Sequence, residues 1–358
     1  MDSKERALAA IDFQQTDRVP MDFHANPWVY ERLHRDLGTS SHRELLLRLR
    51  SDIVDLRGVV DPVYHGPVPL SRDLGDGVRE NVWGWRQKLV ETATGWEDCY
   101  VAYALSEASS VDDLEQHRWP SPDWFDFSDI AERLEPWKGF AVMASGASVF
   151  QHPTFLRRLE VLLMDMATQP EMAHWLMDRF TDFYVGFFDR MLTAAGGRID
   201  ILRAADDLGT QHGLLFSPDM FRTFIKPRLK KLVDMAHSHG VKFMFHSCGA
   251  IRPFIEDLIE IGIDILDPLQ AAAAGMEPEG LKEDYGDRVS LHGGICTQHL
   301  LPMASPGEVK AEVRRRIEIL GKGGGYILAP CHVLQSDVPT ANILAMSEAG
   351  VAFGSGSS

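Results

Sequence analysis

SPDMFRTFIKPRLKKLVDMAHSHGVKFMFHSCGAIRPFIEDLIEIGIDILDPL, Ser217 to Leu269, reads as two helix-then-strand units placed end to end. Ser217 and Pro218 supply a cap and a proline at the first helical position, and Phe221, Phe224, Ile225, Leu229, Leu232 and Ala236 then recur on one face until Gly240. The short apolar run that begins at Val241 (VKFMFHS) suits a strand buried on both faces. Pro253 to Glu260 gives a second, shorter helix stopped at Gly262, and Ile263 opens the next strand (IDILDPL). Strands joined through helices in this way pair in parallel.

The same alternation extends in both directions. Further strands are expected near Arg18 (RVPMDF), Asp52 (DIVDLRG), Phe140 (FAVMAS), Asp200 (DILRAAD), Val289 (VSLHGG) and Tyr326 (YILAPC), eight in all. Between the last two, Ser305-Pro306-Gly307-Glu308 forms a capping box with a proline inside it, followed by Val309, Val313, Ile317 and Leu320 on one face. Eight such units close most simply as an α/β fold of the (β/α)8 TIM-barrel type. A doubly wound sheet is the rival, but the chain has no G-x-G-x-x-G after an early strand. Residues 1–353 are expected to form a single barrel domain and 354–358 a flexible tail. The segment at about 62–139, which holds VRENVWGWRQKLVETATG, is expected to be an inserted arm with a hairpin.

The formal net charge of -16 over 358 residues argues against a surface that holds nucleic acid or anionic membrane. The first residues carry charges inside every apolar run, so no secretory leader is expected, and a cytoplasmic location follows. Four cysteines, at 99, 248, 296 and 331, are too scattered for a disulfide framework and are expected to be free thiols or metal ligands.

In a barrel of this kind chemistry sits at the C-terminal ends of the strands. Those ends bring up His24, Asp206 and Asp207, His246 and Cys248, Gln270, His292, and Cys331 with His332. His246 and Cys248 are two residues apart, so on extended backbone both point to one side and can share an ion. A buried strand end with a small sulfur side chain reads the same way. If Cys331 converges on the same mouth, one imidazole and two thiolates suit Zn2+ with a fourth position open. Cys296 is a competing ligand, and Cys99 reads as structural. Asp206 and Asp207 fit paired acid/base or ligand carboxylates, or a cap on the following turn. His292 and His332 fit either substrate contacts or satisfied rim groups. Trp28, Trp83 and Trp85 either line the mouth or cover the barrel end.

Taken together, IDFQQTDRVP, RAADDLGTQHGLLFSPDMF, FHSCGAIRPFIEDLIEIGIDILDPLQ and GGGYILAPCHVLQSDVPTANILAM resemble the uroporphyrinogen decarboxylase superfamily across nearly the whole chain. The resemblance implies a (β/α)8 barrel and one of two activities. Uroporphyrinogen decarboxylase itself is metal-free and should carry an arginine motif after the first strand, where this chain has MDFHANPWVY. The cobalamin-dependent methyltransferases hold zinc with a His-x-Cys pair and a distant Cys, which His246, Cys248 and Cys331 match. That branch, of the corrinoid methyltransferase or O-demethylase type, implies Zn2+ and a corrinoid (methylcobalamin) borne on a corrinoid-binding partner protein. A small-molecule methyl donor or acceptor, of the methyl ether or thiol kind, completes the reaction. A homodimer is allowed; nucleic acid and membrane are not expected as partners.

The resemblance then makes Asp206, Asp207 and Gln270 the candidate catalytic groups. Together with Gln211, they orient substrate or supply a fourth ligand. His24, Gln211, His292 and His332 are the candidate substrate contacts. Two other functions compete: a metal-independent decarboxylase of uroporphyrinogen or another carboxylated substrate, and a non-catalytic corrinoid or tetrapyrrole binding protein.

Overall fold

The computed structural model describes residues 1–92 and 95–354. Seven parallel strands form its main sheet in sequence order: Ile53–Asp55, Ala141–Ala147, Ile201–Ala205, Lys242–His246, Ile265–Leu269, Ser290–Ile295 and Tyr326–Pro330. All seven were expected from the alternation of apolar runs with helices. Their order never reverses, so each strand lies beside its sequence neighbour as in a barrel.

The first expected strand, at 18–23, does not form a full strand. Its backbone instead makes a single bridge to one edge of the sheet, where Leu328 N–H donates to Pro20 O (2.9 Å) and Asp22 N–H to Leu328 O (2.9 Å), and a lone hydrogen bond toward the other, from Asp52 N–H to Met21 O (2.7 Å). The reason is local. Pro20 has no N–H to offer a ladder, and the buried Asp52 carboxylate takes over part of the work. It accepts from Met21 N–H (2.9 Å) and from the guanidinium groups of Arg6 and Arg18 at 2.7 Å each. The parallel sheet therefore curls into a nearly complete TIM barrel whose last gap is closed by an irregular segment.

Because strand side chains alternate, every second residue points into the barrel. Ile53, Ala141, Met143, Ile201, Met244, Ile265 and Ile327 form one apolar cluster there with Ala7 and Ile11 of the helix Ser3–Ile11, which plugs the lower end. Ser290 Oγ fixes that plug by donating to Ile11 O (3.0 Å). The opposite strand faces, with Leu202, Ala204, Phe243, Phe245, Leu266 and Leu291, join the larger core under the outer helices.

The helix expected to run unbroken from Ser217 is interrupted. Phe221–Ile225 form a π turn before the α-helix Lys226–Ser238. Pro227 lacks an N–H and its ring crowds the carbonyl a turn earlier, and a wider turn relieves both. The expected hairpin at Arg86–Thr92 and Gly95–Ala102 is present, within a four-stranded antiparallel sheet that also contains Ser71–Asp73 and Val78–Asn81. Gly354, read from the sequence as the start of a tail, is instead buried as the last residue of the helix Thr340–Gly354; residues 355–358 of that expected tail lie outside the described residues.

Candidate metal centre

One step above the apolar layer, the same inward-facing register changes character. Two residues beyond Ile53, Met143, Ile201, Met244, Ile265 and Ser290 stand Asp55, Ser145, Arg203, His246, Asp267 and His292. They bond to one another. Ser145 Oγ donates to Asp55 (2.7 Å), and Arg203 Nε donates to Asp267 Oδ2 (2.9 Å). His246 Nδ1 lies 2.7 Å from Asp267 Oδ2, and His292 Nδ1 lies 2.8 Å from Asp267 Oδ1. On its other side His292 Nε2 lies 3.0 Å from Asp22 Oδ2, which also meets His24 Nε2 at 2.6 Å.

Burial by itself would raise the Asp267 carboxyl, but His246, Arg203 and His292 outweigh it and hold the group well below the usual carboxylate range. Burial would likewise lower the His292 imidazole; Asp267 and Asp22 reverse that and push it up to about 9. His246 goes the other way, because its burial outweighs the attraction of Asp267, and its imidazole stays neutral. Its Nδ1 also lies 2.6 Å from Arg203 Nη2. It can accept from the guanidinium or donate to Asp267, and only the second choice leaves a lone pair on Nε2.

That Nε2 stands 3.5 Å from Cys248 Sγ. A sulfur and a nitrogen bound to one tetrahedral zinc, at ~2.3 and ~2.05 Å, stand about 3.5–3.6 Å apart. The pair therefore fits the ion, and a carboxylate behind the imidazole is the usual support of a histidine ligand. His332 joins them: one ligand atom each from His246, Cys248 and His332 lie within 4.8 Å of one another, as do those of a separate group, Asp22, His24 and His292. Cys331 lines the same cavity, but its thiol donates to Leu269 O (3.0 Å). Burial pushes both thiols up, Cys331 to about 12, so each needs a nearby cation to ionise.

The adjacent aspartates separate. Asp206 follows the outward face of Leu202 and Ala204 and is wholly buried. Its carboxylate accepts from Ser148 Oγ (2.6 Å) and from the N–H groups of Val149, Phe150 and Gln151 (3.0, 2.9 and 2.7 Å). With all of its acceptor capacity engaged, Asp206 secures the loop that enters the helix Gln151–Arg157, and the catalytic part read for it from the sequence does not fit this placement. Asp207 points inward, accepts from Cys248 N–H (2.9 Å) and stands 3.8 Å from His246 Nε2.

Beside these groups opens a cavity of about 660 Å³, of small-molecule size. Gln211, Gln270 and His332 line it, as do Cys296 and Glu97. Gln270 Oε1 accepts from Gly249 N–H (2.7 Å), which holds the turn after Cys248. His24 and His292 do not line it. Their expected substrate contacts give way to carboxylate contacts, which in His292 occupy both ring nitrogens. Trp83 covers a helix by stacking on Phe180 (4.5 Å), and Trp28 is exposed outside the cavity.

Sequence reading passed over Arg203, Asp22 and the role of Asp267. A signal was present for Arg203: in DILRAAD it is a charge in the inward register of a strand whose other inward positions are apolar or small.

A family model described as uroporphyrinogen decarboxylase (URO-D) matches residues 133–352. The methylcobamide:CoM methyltransferase MtaA of Methanosarcina barkeri is 29% identical over 170 residues, 48% of this chain and 46% of that protein. A uroporphyrinogen decarboxylase of Methylococcus capsulatus is 23% identical over 218 residues, 60% of this chain and 56% of that one. The chain thus spans about half the length of the curated relatives it matches. Among solved structures, a methyltransferase from Methanosarcina mazei has the same fold, with a TM-score of 0.66 at 19% identity and 99% of each chain covered. With the family match running over more than half of its length, the chain belongs to the uroporphyrinogen decarboxylase family.

Proposed function

We propose that the protein is a zinc-dependent methyltransferase that moves a methyl group between a small molecule, of the methyl ether or thiol type, and a corrinoid on a partner protein. The observation that carries this reading is the 3.5 Å separation of His246 Nε2 and Cys248 Sγ with Asp267 behind the imidazole. The similarity to a methylcobamide-dependent enzyme supports the corrinoid partner. No described helix is long and apolar enough to cross a membrane. The reading takes residues 1–353 as one cytoplasmic barrel unit with the arm at 62–139 inserted in it.

His246, Cys248 and Cys331 would hold the ion, with His332 or Asp207 at hand for the remaining position. Bound there, Zn2+ supplies Lewis acidity: it favours the thiolate of an acceptor thiol or draws charge from the oxygen of a methyl ether. The protein's own groups supply position. Asp267 fixes the His246 ring and keeps its proton on Nδ1. As a thiolate, Cys331 can no longer donate to Leu269 O, which releases its sulfur toward the cavity. Gln270 holds the Gly249 turn, and with it Cys248, in register. Gln211 and His332 face the substrate.

The test is the zinc content of protein purified without chelator. About one zinc per chain is expected. It should be lost in Cys248→Ala and in Cys331→Ala and retained in Cys296→Ala. A wild type without zinc would sink the reading; retention in Cys331→Ala and loss in His332→Ala would reassign the third ligand.

A further inference from the structure

The cavity beside the candidate metal centre is unusual in its charges. None of the described residues lining it is a lysine or an arginine, whereas Glu97 and Asp337 both line it. Three guanidinium groups on or shortly after the barrel strands, those of Arg203, Arg57 and Arg252, have partners of their own. Arg203 is held beneath the cavity by Asp267 and His246, and Arg57 lies 3.7 Å from Asp55 Oδ2. Arg252 is bound to Gly275 O and Asp284.

What the cavity offers instead is carboxamide. Gln211, Gln270, Gln298 and Gln335 all line it. Gln335 is occupied by Asn26 Nδ2 (3.0 Å), and the oxygen of Gln270 by Gly249 N–H. The side chains of Gln211 and Gln298 bond to no other described residue, so each keeps both a donor and an acceptor for a ligand. The acidic side of the cavity is also built from two separate parts of the chain. At the start of the strand Gly95–Ala102, Gly95 lies so close to Ser336 that a Cβ there would stand 3.0 Å from Ser336 Oγ. The hairpin carrying Glu97 is thereby set against the loop carrying Asp337.

We infer that this cavity selects a small substrate with no anionic group, neutral or cationic and recognised through hydrogen bonds to carboxamides, and rejects sulfonates, phosphates and carboxylates. An anion entering it meets two carboxylates and finds no cationic side chain to replace its lost water, whereas an alcohol or an ammonium suffers neither penalty. A polycarboxylated tetrapyrrole is excluded on the same ground. The inference rests on the proposed function only in placing the substrate in this cavity.

The experiment uses three thiols of matched length that differ in charge: 2-mercaptoethanol, 2-aminoethanethiol and 2-mercaptoethanesulfonate. Their binding to the full chain is measured by calorimetry, and zinc content is measured in the same samples. The sulfonate should bind at least about tenfold more weakly than the alcohol, and the ammonium at least as tightly as the alcohol. In the doubly substituted Glu97→Gln, Asp337→Asn protein the gap between sulfonate and alcohol should shrink to less than about threefold. Both positions are exposed, so the fold should tolerate the changes. Sulfonate binding as tight as the alcohol's, an unchanged gap in the double variant, or no binding by any of the three would overturn the inference. A zinc-free wild type that still ranks the ligands by charge would leave it standing and remove only the metal.

Discussion

The two inner layers of the barrel are made by the same strands and differ in almost everything else. In the lower layer Ile53, Met143, Ile201, Met244 and Ile265 pack with the plug helix and exclude water. Two residues further along each strand, about 7 Å away, Asp55, Ser145, Arg203, His246 and Asp267 form a polar layer bonded within itself. The lower layer stabilises the barrel by apolar burial and does no chemistry. The upper layer costs desolvation energy and holds only because each charge has an opposite partner. Asp267 is the group on which that balance turns, since it serves Arg203, His246 and His292 together.

The sharpest way to break this comparison is therefore Asp267→Ala. It would strand the guanidinium of Arg203 in a buried site and free two imidazoles from their orientation. A loss of about 3–5 kcal/mol in urea-unfolding stability is expected for a buried charge deprived of its partner. Zinc affinity, read by competition with a chelator, should fall about 10–100-fold because the support of a histidine ligand is gone. Undiminished zinc affinity would show that Asp267 serves stability alone.

How much of this could be read in advance follows from the same two layers. Apolar runs and helix caps are local, so the seven strands were visible in the sequence. The closing segment was misjudged because its pairing depends on Pro20 and on a distant carboxylate, Asp52, which no local pattern reveals. At the site, His246 and Cys248 were legible because residues two apart share a strand face. The pair Asp206 and Asp207 was not resolved. Neighbours on a strand point in opposite directions, and the inward register has to be counted from Ile201 through Arg203 before Asp207 can be chosen. Arg203 itself was overlooked inside an otherwise ordinary strand. Its partner lies 64 residues away, so the pairing is a property of the fold.

A smaller effect tests the charge state of the upper layer. The His292 imidazole is raised to about 9 between Asp22 and Asp267, above the unfolded value of about 6.5. The native state thus holds this proton more tightly than the unfolded chain does. The resulting stabilisation is complete below about pH 6.5 and is lost as pH rises through about 9, by at most about 3 kcal/mol. Unfolding stability measured between pH 6 and 10 should fall more steeply in the wild type than in His292→Asn, which cannot titrate there. Parallel curves would mean that the ring is neutral between its two carboxylates.

The least costly perturbation tests whether the two layers are independent. Ile265 is fully buried in the lower layer and lies two residues before Asp267 on one strand. Ile265→Val removes one methylene from a packed site and should cost about 0.5–1.5 kcal/mol, read as a lower urea midpoint with an unchanged slope. Its effect on zinc affinity should stay within about twofold, since a conservative truncation leaves the strand register and the polar contacts in place. The contrast with Asp267→Ala is the informative quantity. If the two variants lower zinc affinity alike, the apolar layer does more than hold the barrel shut: it sets the height at which His246 and Cys248 stand.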